Sequence, residues 1–383
     1  MAPFLALCCV MSLLFLGDLR IQAQATLVVL FVWSFGVVIG KNNGDSRSLW
    51  WWAIGLRFVA MFIAPTLSDD VFRYIWEGFF ITEGGNPYWI APIDSSVEHW
   101  SKPLVNHPEL TTIYPPLTQL IFASLSVVSD HVVGWKLLST FFDLGILWIL
   151  FRQQGASKWV WLYAIHPLPI LESASSAHME TWGILPLMAS IIFPSIRAWL
   201  LWVGGMLKLL PFVLLPVVLR SWKSVIGMIA LMILSLSAFS LWNVPMGAQQ
   251  YARHWSFHAS IFTLLDVWVE NPRVWTIGLG GCSMLYTFWK VRPFSKQVFW
   301  LVGTFVLLSP TVHPWYLIWV FPVAIWHRSL AWTGLCCAYP LWYVALTTWD
   351  IHTQSWDPPM WPQIVSYGMF MGLLIWEWKK NRK

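Results

Sequence analysis

The chain has 383 residues, of which 57% are hydrophobic, 17% aromatic and 11% charged, and its mean hydropathy is +0.61. Soluble domains carry roughly 25% charged residues, and 23 basic plus 18 acidic side chains do not cover this much apolar surface in water. The composition excludes disorder, a disulfide-rich mini-protein, a coiled coil and an ordinary cytosolic enzyme, and points to a chain solvated by lipid.

Met1 to Gly17 is apolar and is followed by Ala23-Gln24-Ala25, which resembles a cleavage site. No Lys or Arg precedes the run, so it reads as a first membrane helix rather than a removed signal. Further apolar segments follow at 24–40, 50–67, 116–130, 133–151, 158–172, 182–196, 198–219, 224–241, 273–289, 297–309, 314–327, 329–346 and 360–377, with the first covering 1–19. A crossing helix needs roughly 17–25 apolar residues, and several of these segments are short or broken by proline, so about 11–14 transmembrane or re-entrant helices are expected. The expectation is an all-α, polytopic integral membrane protein with one domain over 1–383. No internal repeat supports a transporter built from duplicated halves.

The net charge of +5 is not gathered into a patch for nucleic acid. Basic residues fall in short runs between apolar segments: Lys41 and Arg47, Arg220 and Lys223, Lys290, Arg292 and Lys296, His327 and Arg328, and the tail Lys379, Lys380, Arg382 and Lys383. This is the pattern of cytoplasmic loops. Counting from these runs places 68–115, 172–181, 242–272, 309–315 and 347–359 together on the opposite, extracytoplasmic face. The count conflicts with the charge rule around 116–158, where two spans would put Arg152 and Lys158 outside. The five cysteines (Cys8, Cys9, Cys282, Cys336, Cys337) lie in apolar runs and form neither a disulfide framework nor a zinc pattern.

The loop 68–115 carries the densest polar signal. Asp69 and Asp70 follow directly on an apolar segment, and Arg73 and Glu77 continue the same face if the stretch is helical. Ionisable residues at a bilayer edge are costly and mark function. The opening SDD-x-x-RY-x-WEG, the following Gly85-Asn86-Pro87-Tyr88 and the closing HPE…YPPL with Tyr114 are joined downstream by further short motifs. These are Pro167…Glu172…Ala177-His178, Lys208-Leu209-Leu210-Pro211 and Ser309-Pro310-Thr311-Val312-His313-Pro314-Trp315-Tyr316. In this order, from residue 68 to 316, they resemble the GT-C glycosyltransferases that use polyprenyl-phosphate sugars. The bacterial mannosyltransferase-like branch is nearest in look. The chain departs from it at Met179-Glu180-Thr181, where the branch often has an acid–amide pair.

The resemblance implies a GT-C-like fold with 68–115 as an extracytoplasmic catalytic loop. It implies transfer of a hexose, mannose by the branch, from a polyprenyl-phosphate donor to a lipid-linked or cell-surface glycan acceptor with inversion, in a bacterial inner membrane. Such a displacement needs a carboxylate to take the acceptor proton, unlike glycoside hydrolysis with its two carboxyl roles. It also needs cations or donors for the phosphate leaving group. Asp69, the family-matched first carboxylate, is the expected base and Asp70 the close alternative, because spacing alone does not rank them; the other Asp falls to a sugar hydroxyl or a metal. Arg73 serves either the phosphate or the ionisation of the base. Glu77, Tyr114, His178, Lys208 and His313 fall to substrate binding. For Lys208 the competing reading is snorkelling to the interface, and for His313 a structural donor. Arg253 and His254, among Tyr251, Trp255 and Phe257, make either a sugar cleft or an interfacial aromatic anchor.

Asp69-Asp70 is not a D-x-D, and no His/Cys cluster shows ligand spacing. A divalent cation on these carboxylates is the one cofactor the resemblance admits, and no metal site is assigned. Nucleotide-binding glycine loops are absent. The alternative functions are a membrane transporter or lipid flippase, which would place ionisable residues such as Lys136, Asp143 and Lys208 along a path, and an accessory subunit without chemistry.

Overall fold

Helices follow the apolar segments closely in the computed structural model, which describes residues 1–40, 44–218, 222–239, 246–348, 357–380 and 382. Among the expected basic residues Lys41, Arg220 and Lys383 lie outside the described residues, as do parts of 242–272 and 347–359. The all-α expectation holds for the described residues. They form nineteen α-helices with short 3₁₀ and π turns, and their β pairing is one isolated parallel bridge between Phe257 and Thr311.

Local chemistry sets several helix boundaries. Asp45 accepts from Ser48 N at 2.8 Å and opens Ser46–Ala60, and Ser157 accepts from Val160 N to open Lys158–Ile165. Proline sits in the first turn of Pro116–Val128 and Pro272–Lys290, where its missing N–H costs nothing. Proline and glycine also shorten the expected spans. The segment 158–172 breaks at His166 before Pro167, 198–219 breaks at Lys208, and 329–346 passes from Leu330–Cys337 into a 3₁₀ turn at Tyr339–Thr348 containing Pro340. Two described helical stretches, Val132–Gln154 and Leu330–Thr348, are long and apolar enough to cross a membrane. Six shorter apolar helices of 10–17 residues accompany them. At 1.5 Å per residue these fall short of a hydrocarbon core of about 30 Å.

The chain forms two compact units, each from separated segments. One comprises residues 1–67, 143–175 and 256–383; the other comprises 68–142 and 176–255. Inside the first, Arg57 Nε meets Asp143 Oδ2 at 2.5 Å with both side chains fully buried. Arg57 Nη1 also donates to the carbonyls of Ala53 and Ala164, while Tyr163 Oη donates to Asp143 Oδ1 at 2.6 Å. The second unit has a core of Val71, Tyr74, Ile75, Tyr114, Phe122, Trp135, Ala177, Met179, Trp182 and Leu207. Several of these are immediate chain neighbours of the polar residues described below, so that core and polar cluster are interleaved.

The Arg57–Asp143 pair generates a stability prediction. Asp143→Leu leaves a buried guanidinium without its counter-charge and should destabilise the protein by about 3–5 kcal/mol, whereas Arg57→Met with Asp143→Leu should recover most of the loss. Thermal unfolding of the two purified variants checks this.

Candidate functional site

The second unit assembles its polar cluster on the helix Asp70–Thr82. Asp69 occupies the N-cap position without capping the helix through its side chain, and Asp70 lies in the first turn, where a carboxylate is favoured by the helix dipole. Arg73 and Glu77 follow one turn apart and pair at 3.2 Å, both buried. The guanidinium then reaches across to the loop that closes the 68–115 stretch. Its Nη2 donates to the carbonyls of Asn106 at 2.5 Å and His107 at 2.6 Å, and its Nη1 to that of Leu110 at 3.2 Å. Glu77 is saturated from the other side, with Oε2 accepting from Thr112 Oγ1 at 2.8 Å and Gln119 Nε2 at 2.5 Å. His107 adopts a positive φ of 48° within this clamp.

The clamp aims a side chain. Asn106 is bound by Arg73 through its backbone carbonyl and, at 3.5 Å, through its side-chain oxygen. Its amide nitrogen is thereby turned toward Asp70 Oδ1, to which it donates at 2.8 Å. Asp70 keeps one-fifth of its side chain exposed, and its other oxygen lies 3.7 Å from Nδ1 of the fully buried His178. His178 follows Ala177, whose φ of 58° is a strained left-handed backbone. Ser139 fixes this turn by donating to the Ala177 carbonyl at 3.1 Å and accepting from Trp182 Nε1 at 3.1 Å.

Beyond His178, Glu180 opens the helix Glu180–Ile192 fully buried and pairs with Lys208 Nζ at 2.7 Å. Lys208 ends the helix Arg197–Leu207 in extended backbone. Thr118 Oγ1 holds the preceding carbonyl, of Leu207, at 2.6 Å. Gly204 permits the close approach that this pairing needs: a Cβ there would lie 3.1 Å from Pro211 Cγ and 3.2 Å from the Gly183 carbonyl. The Lys208 ammonium also sits 5.6 Å over the Tyr114 ring.

Burial holds the carboxyl groups of Asp70, Glu77 and Glu180 above the ordinary carboxylate range. For Asp70 the Asn106 hydrogen bond, Lys208 and Arg73 pull back in that order, and Asp69 pushes further up. For Glu180 the main opposing influence is Lys208.

Of the residues singled out in the sequence, the structure brings Asp69, Asp70, Arg73, Glu77, Tyr114, His178 and Lys208 into one unit around the Asp70 helix. Arg253 and His254 are exposed at the end of Met246–His254. That helix docks on the closing loop through Gly247 N to Thr111 Oγ1 at 2.9 Å, and Trp255 just beyond it makes an edge contact with His107. His313 belongs to the other unit, stacked between Phe257 at 5.1 Å and Trp315 at 4.5 Å. Sequence reasoning missed Asn106 and Glu180. A loop asparagine carries no signal of its own, but an acid beside His178 in an apolar stretch invites the question of a partner that was asked of Lys208.

Among the described residues no group of three or more His, Cys, Asp or Glu is arranged to hold a metal ion. At Asp70 the Asn106 amide takes one carboxylate oxygen and the Lys208 charge is felt nearby, so these residues do not fit a divalent cation. Comparison with family models, with curated proteins and with solved structures gives no match.

The clamp predicts a local defect. In Arg73→Lys a single ammonium replaces a planar fork of five donors and cannot reach three carbonyls and Glu77 together. Faster proteolytic cleavage within residues 92–110 is expected, with a stability loss of about 1.5–3 kcal/mol from the broken charged hydrogen bonds. Limited proteolysis beside thermal unfolding measures both.

Proposed function

We propose that the chain is a polytopic integral membrane glycosyltransferase of GT-C type. It moves a hexose, mannose by resemblance, from a polyprenyl-phosphate donor to a lipid-linked or cell-surface glycan acceptor. The observation that carries the reading is a pair of partly open groups, each held by a fixed partner. Asp70 is one-fifth exposed and anchored by Asn106, and Lys208 is 22% exposed and anchored by Glu180. Asp70 acts as the base that takes the acceptor proton, and Lys208 meets the phosphate as the anomeric C–O bond breaks. A single displacement of this kind inverts the anomeric centre. Arg73 and Glu77, closed on each other and on the loop, act as positioning residues rather than phosphate ligands.

The membrane reading draws on the composition, the two long apolar helices and wide apolar exposure. On the helix Pro272–Lys290, for example, Val274, Trp275, Ile277 and Trp289 are all more than half exposed, a surface that water does not favour. The positive loops support a site on the extracytoplasmic face, and the resemblance implies a bacterial inner membrane. The transporter or flippase alternative gains no support from Asp143, which is closed on Arg57.

Transfer from a panel of labelled polyprenyl-phosphate sugars by the purified protein tests the reading. Asp70→Asn should lower turnover by about 10²–10⁴-fold and Asp69→Asn by less; wild-type-like turnover in Asp70→Asn sinks the assignment. Because Asp70 must be ionised to act and burial raises its proton affinity, kcat/KM should fall with decreasing pH along a limb centred above the ordinary carboxylate value. Asn106→Leu removes a hydrogen bond that favours the ionised form, so this limb should move to higher pH; a limb that stays in place contradicts the role given to Asn106.

A further inference from the structure

The Glu180–Lys208 pair is lopsided. Glu180 is fully buried, whereas Lys208 keeps 22% of its side chain exposed. An ammonium 2.7 Å from a buried carboxylate is already neutralised and attracts a second anion weakly. Yet Lys208 is the cation through which the proposed reaction must stabilise a phosphate whose charge grows.

His178 offers a way to lift that neutralisation. Its Nδ1 lies 4.0 Å from Glu180 Oε2 and 3.7 Å from Asp70 Oδ2, so one imidazole nitrogen faces both carboxylates. These separations exceed hydrogen-bond length, and a modest movement of the ring closes either one. An imidazole nitrogen can take a proton from one neighbour and pass it to another.

We infer that Glu180 and Lys208 form a proton-gated phosphate site, in which a proton delivered to Glu180 through His178 neutralises the carboxylate and releases the Lys208 ammonium to a phosphate monoester. The inference rests on the transfer reading above. The acceptor hydroxyl gives its proton to Asp70 Oδ2 while its oxygen bonds to the anomeric carbon. The anomeric C–O bond to phosphate breaks, and its electron pair stays on the phosphate. The proton then passes from Asp70 to His178 Nδ1 and on to Glu180 Oε2. Asp70 is ionised again, Glu180 is neutral, and the product phosphate, one charge more negative than the donor, faces an ammonium no longer held by a carboxylate. The net charge of site and substrates is unchanged throughout.

Among the described residues, the charged and titratable groups around Glu180 include Asp70 and Tyr74 from the helix Asp70–Thr82, His178 from its own segment, Lys208, and Tyr114 across the lysine. Burial raises the proton affinity of Glu180, Asp70 raises it further and Lys208 opposes both. Drawing Lys208 toward a phosphate therefore favours protonation of Glu180, and protonation favours binding of the phosphate.

Calorimetric binding of farnesyl phosphate to the full-length protein at pH 8, in buffers of different ionisation enthalpy, tests the gate. The phosphate is a dianion there, its second pKa being about 6, so any proton taken up goes to the protein. Wild type should take up about one proton per ligand bound, by the linkage of the two equilibria. Glu180→Gln should take up none and bind several-fold more tightly, its lysine being free of a counter-charge. If Glu180→Gln is not recovered folded, Lys208→Met supplies the second arm: with the ammonium gone, phosphate binding is no longer coupled to Glu180, so residual binding proceeds weakly and without proton uptake. Binding to wild type without uptake, or equal uptake in wild type and Glu180→Gln, overturns the gate and leaves the transfer reading standing. Failure of wild type to bind farnesyl phosphate at all overturns both.

Discussion

The Arg73 guanidinium is the contact on which the polar cluster of the second unit depends. The stretch between the helices Asp70–Thr82 and Pro116–Val128 has only two single-turn 3₁₀ elements of its own, and ordering so many residues costs about 1–2 kcal/mol each in backbone entropy. No sheet ladder or long helix is present in the stretch to offset that cost. Arg73 supplies a fixed fork of donors from a helix below the loop, and the carbonyls of Asn106, His107 and Leu110 converge on it. Glu77 both balances the charge of Arg73 and accepts from Thr112 and Gln119, so the loop is also tied to the start of the next helix. The orientation of Asp70 is a consequence two bonds removed: Arg73 fixes Asn106, and Asn106 fixes Asp70.

Acids outnumber cations in this cluster, with Asp69, Asp70, Glu77 and Glu180 set against Arg73 and Lys208. Burial raises the proton affinity of three of these acids. Exposure then separates two kinds of pair. Arg73–Glu77 and Arg57–Asp143 are closed on both sides and serve the fold. Asp70 and Lys208 each present an open side, while their supporting partners, Asn106 and Glu180, stay tied to the interior. A group that is anchored and yet open is positioned for a ligand, and the distinction rests on solvent access rather than on residue type.

The helices were largely legible in the sequence, because in a chain this apolar the polar and proline interruptions are the only punctuation. Breaks at Lys208 and Ser329 fall at Pro211 and between two expected spans, whereas the break at His166 before Pro167 divides the expected span 158–172. The shared face of Asp70, Arg73 and Glu77 was legible from spacing alone. The partners of Arg73 were not, because they are backbone carbonyls and a carbonyl carries no residue signature. Arg253, His254 and His313 are a different case. They are chemically suggestive side chains near aromatic residues, but spacing along the chain does not say which compact unit a residue joins or whether it turns toward solvent.

The low charge content takes on a definite structural meaning in this light. In the proposed membrane setting, apolar helix faces have little to choose between neighbours, since lipid tails are as apolar as leucine, and polar contacts and small residues make the choice. Arg57 and Asp143 stand 86 residues apart and join two helices whose apolar faces alone would not specify the match. Glu180 and Lys208 do the same for Glu180–Ile192 and Arg197–Leu207, with Gly204 supplying the close approach. A pair of this kind need not be more than a matching device, and Arg57–Asp143 is closed enough to be only that. What sets the Glu180–Lys208 pair apart is that its cation end remains partly open beside an aromatic ring and its acid end faces a histidine shared with Asp70. The same contact that selects the neighbouring helix thus leaves a charge that can be redirected, and chemistry can be built on a pairing the fold already requires.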